Sequence, residues 1–240
     1  MIGLVRSEWI KFRSVRSTLV VLLMGALLVV LVAVLAARDA AGDGNTVQLT
    51  GLTGGVSAAV LLFGALGVQV IGQEYRFNTI RPTYSAEPRR VRVLAAKAVV
   101  VTVACAAVAM AMTAVCWLVG TAYMTGFEMD GVDQRAWLGI VVFTVGWSLL
   151  GLGVGAILRQ PIAAILVLLG WAFVAENIII GIESGWARWL PFANGFQMTM
   201  RMDSATSSDL RPVLSGGVYF FVVVAVVAAV GTLLAVRRDA

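Results

Sequence analysis

Six apolar stretches of bilayer length constrain this chain more than any other feature of its sequence. Each contains about 20 residues or more, which at about 1.5 Å per residue is enough to cross a hydrocarbon core of about 30 Å. Because a backbone in lipid must satisfy its own hydrogen bonds, such uninterrupted runs favour helices over barrel strands. The sequence therefore predicts an all-α polytopic membrane protein. Its six transmembrane helices are predicted at residues 18–37, 52–71, 98–124, 137–158, 162–182 and 217–236.

The composition supports a membrane protein and argues against a bound metal or haem. Of the 240 residues, 60% are hydrophobic and 13% are charged, whereas soluble domains carry about 25% charged residues. There is no histidine, and the two cysteines, Cys105 and Cys116, lie about 16 Å apart along one predicted helix. The usual zinc and haem ligand sets are therefore missing, and we expect no cofactor.

The positions of arginine and lysine predict the orientation, because these residues concentrate in cytoplasmic segments. With the N-terminus inside, all but five of the 18 basic residues fall in cytoplasmic segments. This pattern predicts a multi-pass protein of the cell membrane with both termini in the cytoplasm. It also explains the net positive charge by the membrane and not by binding to nucleic acid. The bias towards Arg, Ala and Val is typical of a GC-rich bacterial genome. The five outer basic residues are Arg38, Arg135, Arg188, Arg201 and Arg211.

Three segments outside the predicted spans are long enough to have structure of their own. Residues 1–17 place an apolar stripe on one helical face, which predicts an interfacial helix; a simple basic flank that sets the topology is the alternative. Residues 183–216 form the predicted extracellular segment, and residues 72–97 form a long cytoplasmic connector. The stripe consists of Ile2, Val5, Trp9 and Phe12.

Motifs for catalysis or nucleotide binding are missing from the sequence. There is no phosphate-binding GxxxxGK[ST] loop, no GxSxG and no HExxH, so we do not expect this chain to be an enzyme. Glu176 is the one acidic residue within a predicted span, where a carboxylate is costly and usually faces a cavity or a partner. Two interpretations stay open: a residue of the transport pathway or its gate, and a structural hydrogen bond between helices, for which the nearby Asn177 is the expected partner.

Small residues form a second pattern, on the predicted fourth span. Gly139, Gly146 and Gly153 repeat every seven residues, and Gly151 and Gly155 form a GxxxG motif. Small residues let helix backbones approach closely. Packing within the chain is the favoured interpretation, and an interface with a second subunit is the alternative.

The connector at 72–97 is longer than a simple link between two spans requires. Pro82 and Pro88 limit the length of any helix within it. Four apolar residues are spaced for a short amphipathic helix that would dock on lipid headgroups or on a cytosolic protein. They are Tyr75, Phe77, Ile80 and Tyr84.

The connector also carries the residues by which the chain resembles the permeases of type-2 ABC exporters. The family pattern is a glutamate, a threonine a few residues later, a Pro-Arg pair and then a lysine. Here these are Glu74, Thr79, Pro88-Arg89 and Lys97; many members have glycine before the threonine, where this chain has Asn78. The start LVRSEWIKFRS resembles the family's interfacial helix, and RWLPF at 188–192 resembles the segment before its last span.

The resemblance implies the membrane half of an ATP-driven exporter. Two six-span permeases, identical or homologous, would form the pathway, and two copies of a soluble ATP-binding cassette ATPase would bind below them. The connector would be the coupling helix, and ATP hydrolysis would take place on the ATPase. The residues expected to meet the ATPase are Glu74, Arg76, Thr79, Ile80, Arg89 and Arg90.

Two other classes of function compete with the exporter permease. A secondary transporter or channel usually shows inverted repeats, broken helices or several charges within the membrane. A scaffold or sensor subunit without a transport role is the third class. The sequence does not select a substrate among drugs, peptides, lipids and polysaccharides.

Overall fold

The computed structural model describes residues 1–42, 52–123, 131–200 and 209–237. Within these ranges the chain is helical and contains no strand, which confirms the predicted all-α class. Helix α7 includes a π-helical turn, Gly170–Ala175, and 3-10 turns at Ser184–Trp189 and Gln197–Thr199 flank α8. The helices are α1 (Ile2–Ser14), α2 (Arg16–Gly42), α3 (Val56–Arg76), α4 (Ile80–Ala86), α5 (Arg90–Tyr123), α6 (Gly131–Leu158), α7 (Pro161–Ile182), α8 (Pro191–Phe196) and α9 (Val213–Arg237).

Five helices in the described part of the chain are long and apolar enough to cross a membrane, as expected for a polytopic membrane protein. They are α2, α5, α6, α7 and α9. The predicted second span falls on α3, which has 21 residues but is not among the five. Its last two turns are polar, because they contain Gln69, Gln73, Glu74 and Arg76.

Helices α3 and α6 form the centre of the bundle, where their backbones approach closely at glycines. A Cβ on Gly67 of α3 would lie 1.9 Å from the Ser148 carbonyl oxygen of α6, and one on Gly151 would lie 2.2 Å from the Gly64 oxygen. Gly155 likewise faces Val68. The most apolar part of α6 is 67% buried, against 22% for α2. The GxxxG motif thus packs within the chain.

The heptad glycines of α6 also pack within the chain. Gly139 contacts the Met198 backbone, Gly146 meets Phe220 on α9, and Gly153 meets Val227 on the same helix. Each approach is too close for an added Cβ. The alternative of a subunit interface at these glycines is therefore wrong, because α9 and the segment before it already occupy this face.

The two ends of the bundle are built differently. At one end, called here the α1 end, α1 and α4 lie against the last turns of α3 and the first turns of α5. The opposite end, called here the α8 end, holds an aromatic cluster in which Phe192 contacts several other rings at centroid distances of 4.9–5.8 Å. The other rings are Phe143, Trp147, Phe173 and Phe196.

The connector is shorter than the sequence predicts, because both flanking helices extend into it. Helix α3 continues to Arg76, and α5 already begins at Arg90. Between them lie a turn at 77–79, the seven-residue helix α4 and a stretch at 87–89 without regular secondary structure. Pro88 follows the end of α4, as its restricted backbone predicts. Helix α4 contains Ile80 and Tyr84, two of the four apolar residues expected in a short helix, whereas Tyr75 lies in α3 and Phe77 in the turn.

Candidate coupling site at the α1 end

Four charged side chains from three helices form a buried ion cluster at the α1 end. Lys97 Nζ of α5 lies 2.6 Å from Glu8 Oε2 of α1 and 2.8 Å from Glu74 Oε1 of α3. Lys11 Nζ lies 2.7 Å from Glu8 Oε1 and 3.1 Å from Glu74 Oε1. It also donates to Thr83 Oγ1 of α4, at 3.2 Å. The cluster therefore ties α1, α3, α4 and α5 together.

Burial makes this cluster costly unless its charges balance. The side chains of Lys97 and Glu8 are only 1% and 3% exposed, whereas that of Lys11 is 44% exposed. Two carboxylates face two ammonium groups, so the cluster is formally neutral. Removing one partner of such a set leaves an uncompensated buried charge, which typically costs about 3–5 kcal/mol.

The pKa values of the two α1 residues reflect this pairing. Burial alone would raise the pKa of Glu8, but the positive charges of Lys97 and Lys11 outweigh it and lower that pKa below its ordinary 4.5. Burial alone would lower the pKa of Lys11, but its contacts with Glu8 and Glu74 raise it above 10.5. Both residues are therefore held in their charged forms across neutral pH.

The local helix geometry explains why these side chains meet. Glu8 and Lys11 are three residues apart on α1, which places them on neighbouring positions of one face. Glu8 and Phe12 are the residues of α1 that are buried, so this face packs on the bundle. Glu74 lies in the last turn of α3, and Lys97 lies two turns into α5, so both reach the same level.

Helix α4 is held against the bundle by a small apolar cluster of its own. Ile80 and Tyr84 of α4 are buried with Val93 of α5, and Leu4 of α1 packs against them. Burial also raises the pKa of the Tyr84 phenol. A displacement of α4 must therefore push on α1 and α5 as well as on the ion cluster.

The structure separates the six predicted coupling residues into three groups by their burial. Glu74 and Ile80 are buried, the first in the ion cluster and the second under α4. Arg90 is partly buried: its Nη1 donates to the Ala235 backbone oxygen of α9 at 2.7 Å. The three that remain exposed are Arg76, Thr79 and Arg89.

The turn before α4 presents an apolar side chain that is flanked by charge. Phe77 is 64% exposed, and the Arg76 guanidinium lies 5.5 Å from its ring centre. The next residue, Asn78, has a φ of 55°, in the left-handed region that glycine and asparagine adopt most readily. This backbone position is one that a glycine would also fill.

Glu176 lies far from this cluster, at the α8 end. Its side chain is buried at 1% exposure. One carboxylate oxygen accepts from Trp171 Nε1 and from the backbone N–H of Phe192, both at 2.9 Å; the other accepts from the backbone N–H of Ala193 at 2.8 Å. Glu176 thus caps the first turn of α8 from the neighbouring helix α7, directly after the π-helical turn.

These contacts agree with a structural hydrogen bond for Glu176, although its partners differ from the expected one. The neighbouring Asn177 side chain is exposed and donates to the Phe173 carbonyl of its own helix instead. A role for Glu176 in the pathway or its gate stays a prediction.

Two members of the ion cluster, Glu8 and Lys97, have partners that sequence reasoning missed. One signal was present: Glu8 lies between Val5 and Phe12 on the apolar stripe of α1, where a carboxylate is out of place. The sequence does not reveal the partner of Glu8, because Glu8 and Lys97 are brought together only by the packing of α1 on α5.

Comparisons with known proteins add no assignment to this geometry. No family model matches the chain, and no curated protein or solved structure is significantly similar to it. Among the described residues, no group of His, Cys, Asp or Glu side chains is arranged to hold a metal ion.

Proposed function

We propose that this chain is the permease subunit of an ATP-driven ABC exporter. It forms half of the translocation pathway and couples through α4 and its flanking turns to a separate ATPase. Two permeases, identical or homologous, assemble with two ATPase copies. The chemistry of ATP hydrolysis takes place on the partner, and this chain converts the partner's closure into movement of its helices.

The observation that carries this proposal is the connection of α4 to three other helices at the α1 end. Thr83 of α4 binds Lys11, which belongs to the buried cluster with Glu8, Glu74 and Lys97. A solvent-exposed helix attached in this way transmits a push at its surface to α1, α3 and α5 together. A passive loop between two spans needs no such attachment.

The exposed surface around α4 suits a groove in a soluble partner. Phe77 supplies an apolar anchor, while the exposed Arg76, Thr79 and Arg89 supply a polar rim. Aromatic and arginine residues are enriched at protein interfaces, and charge-assisted bonds from arginine fix orientation. The left-handed Asn78 also supports the resemblance, because the family pattern has glycine at this place.

The proposal includes six spans, with α3 as the second, and both termini in the cytoplasm. The α1 end is then cytoplasmic, and the α8 end faces outward. Labelling of single cysteines tests this: Ser184→Cys should react from outside the cell, and Ser85→Cys only after permeabilisation. Both serines are exposed, whereas the native Cys105 and Cys116 are buried. The opposite labelling pattern would rule out the coupling role of α4.

Copurification tests the partner directly. The tagged chain, extracted in a mild detergent, should retain a soluble ATPase with a phosphate-binding loop, and native mass spectrometry should show two copies of each subunit type. Arg76→Glu and Arg89→Glu should release the ATPase or uncouple its turnover, while correct insertion is verified by the cysteine labels.

Arg6→Glu is the matched control, because Arg6 is an exposed arginine of α1 at the same end. A correctly inserted Arg76→Glu, Arg89→Glu double variant that retains the ATPase and exports at the wild-type rate would refute the coupling assignment. A stable monomer that transports without an ATPase would refute the whole proposal.

A further inference from the structure

A second surface at the α1 end shares Arg89 with the α4 surface but extends in another direction, to the end of α9. A groove of about 570 Å³ lies between the start of α5 and the end of α9. This volume falls within the roughly 300–1,000 Å³ of small-ligand pockets. Its lining consists of Pro88, Arg89, Arg90, Val91, Arg92 and Val236.

The described residues that line the groove carry charge of one sign. Three of these six residues are arginines and none is acidic. Arg90 already donates to Ala235 and lies 5.0 Å from the Tyr84 ring centre, but Arg89 and Arg92 are exposed. Guanidinium groups bind phosphate oxygens through paired hydrogen bonds, so this lining complements a phosphate-bearing anion.

The position of the groove favours an anion from the bilayer over a soluble one. Val236 lies in the last turn of α9, one of the helices long and apolar enough to cross a membrane. Val91 and Val236 are each about half exposed, beside the arginines. Apolar side chains at the end of a span together with arginines fit a molecule that joins an acyl chain to an anionic headgroup.

We propose that this groove binds the phosphate headgroup of an anionic phospholipid, whose acyl chain runs along the end of α9. The bound lipid fixes the start of α5 against the end of α9, in addition to the hydrogen bonds that Arg90 donates to the Ala235 and Val236 backbone oxygens. The inference does not depend on the exporter assignment, since the groove belongs to this chain alone.

The test uses the purified full-length chain, without ATPase, titrated with phosphatidylglycerol that carries a photoreactive acyl chain. Native mass spectrometry should show one retained lipid, and cross-links should map to the last turns of α9. Arg92→Gln should weaken binding about fivefold, the usual effect of one basic residue at an anionic membrane surface. Arg81→Gln is the matched control, because Arg81 is exposed at the same end but does not line the groove.

A second variant tests the groove by filling it instead of changing its charge. Val236→Trp should displace the lipid, whereas Leu233→Trp on the same helix should not, since Leu233 is exposed but lies outside the lining. This pair keeps the test valid even if Arg92→Gln disturbs insertion.

Three results would overturn the proposal. Equal losses of phosphatidylglycerol binding in Arg92→Gln and Arg81→Gln would mean that the basic surface attracts anionic lipid diffusely and has no defined site. Equal binding of phosphatidylcholine would remove the preference for an anionic lipid. Complete displacement of phosphatidylglycerol by inorganic phosphate would assign the groove to a soluble anion. Loss of the ATPase partner in the copurification experiment would leave all these outcomes unchanged.

Discussion

The two ends of the bundle each bury carboxylates, but they stabilise them in opposite ways. At the α1 end, Glu8 and Glu74 are neutralised by Lys97 of α5 and by Lys11, which lies on α1 beside Glu8. At the α8 end, Glu176 accepts hydrogen bonds from backbone N–H groups and one indole. One end relies on side-chain charge, whereas the other relies on backbone dipoles.

The α1 end depends on contacts between distant parts of the chain, whereas the α8 end is fixed by contacts between nearby residues. The ion cluster joins residues 8, 74 and 97, so its geometry depends on three helices at once. The cap at Glu176 joins residues only 16 and 17 positions apart and is surrounded by aromatic rings. We therefore expect the α1 end to change when one helix moves and the α8 end to stay rigid.

Lys97→Met should give the largest effect on this comparison. It leaves two carboxylates, Glu8 and Glu74, with only the half-exposed Lys11, and should lower the free energy of unfolding by about 3–5 kcal/mol. Thermal unfolding in detergent measures this loss. Adding Glu8→Gln should recover much of it, because Glu74 and Lys11 then balance again.

Lys11→Met is the control for that prediction. It also removes one ammonium group, but from a position that water reaches, so its cost should be clearly smaller. If Lys97→Met unfolds at the wild-type temperature, the cluster does not hold the α1 end together.

Glu176→Ala should have the second largest effect, confined to the α8 end. It removes the acceptor of three hydrogen bonds, each of which typically contributes about 0.5–1.5 kcal/mol. Hydrogen exchange of residues 184–200 should rise, while that of α1 stays unchanged. Asn177→Ala, an exposed neighbour, should change stability by less than about 0.5 kcal/mol.

The same variant separates the two interpretations of Glu176. Lost transport with unchanged unfolding temperature and unchanged exchange would contradict the capping role and favour a residue of the pathway. Lost stability with normal transport per folded molecule would favour the cap.

Local patterns in the sequence predicted much of this fold, because they depend on neighbouring residues. The apolar runs located α2, α5, α6, α7 and α9, and Pro88 marked the end of α4. The helix ends were less predictable: α3 stays helical through Arg76, because Glu74 finds its partners in the bundle and not in water.

The candidate site could be predicted only in part, because it depends on contacts between distant residues. The exposed Arg76, Thr79 and Arg89 agree with a docking surface read from the connector alone. Ile80 and Glu74 do not fit that prediction, because both are buried. Ile80 anchors α4 in its apolar cluster, and Glu74 of α3 supplies the counter-charge for Lys97. Phe77 replaces Ile80 as the exposed apolar residue.

A pH titration should give a smaller effect, which is expected at the α1 end. The lowered pKa of Glu8 means that its stabilising contribution is present above 4.5 and is lost as the pH falls through the lowered value. Because the pKa of Lys11 is raised, its stabilising contribution is present below pH 10.5 and is lost only as the pH rises past the raised value. Helix α1 should therefore stay docked across neutral pH and detach in acid.

Spin labels on Ser14→Cys and Ser85→Cys, with Cys105 and Cys116 replaced by alanine, measure this movement as a distance between α1 and α4. Glu8→Gln should remove the acid-induced step. A distance that is constant from neutral pH to well below 4.5 would show that α1 is held by its apolar contacts alone.

The smallest effect on the bundle should come from Phe77→Ala, because this side chain is 64% exposed. We expect the free energy of unfolding to change by less than about 0.5 kcal/mol. As an aromatic anchor of the proposed interface, however, Phe77 should contribute about 2 kcal/mol to ATPase binding, so retention should fall roughly thirtyfold. Ile2→Ala removes an apolar side chain at the same end that is even more exposed, at 88%, and should leave retention unchanged. Equal retention by both variants would place the ATPase elsewhere on the α1 end, whereas a large loss of stability would mean that Phe77 supports the bundle.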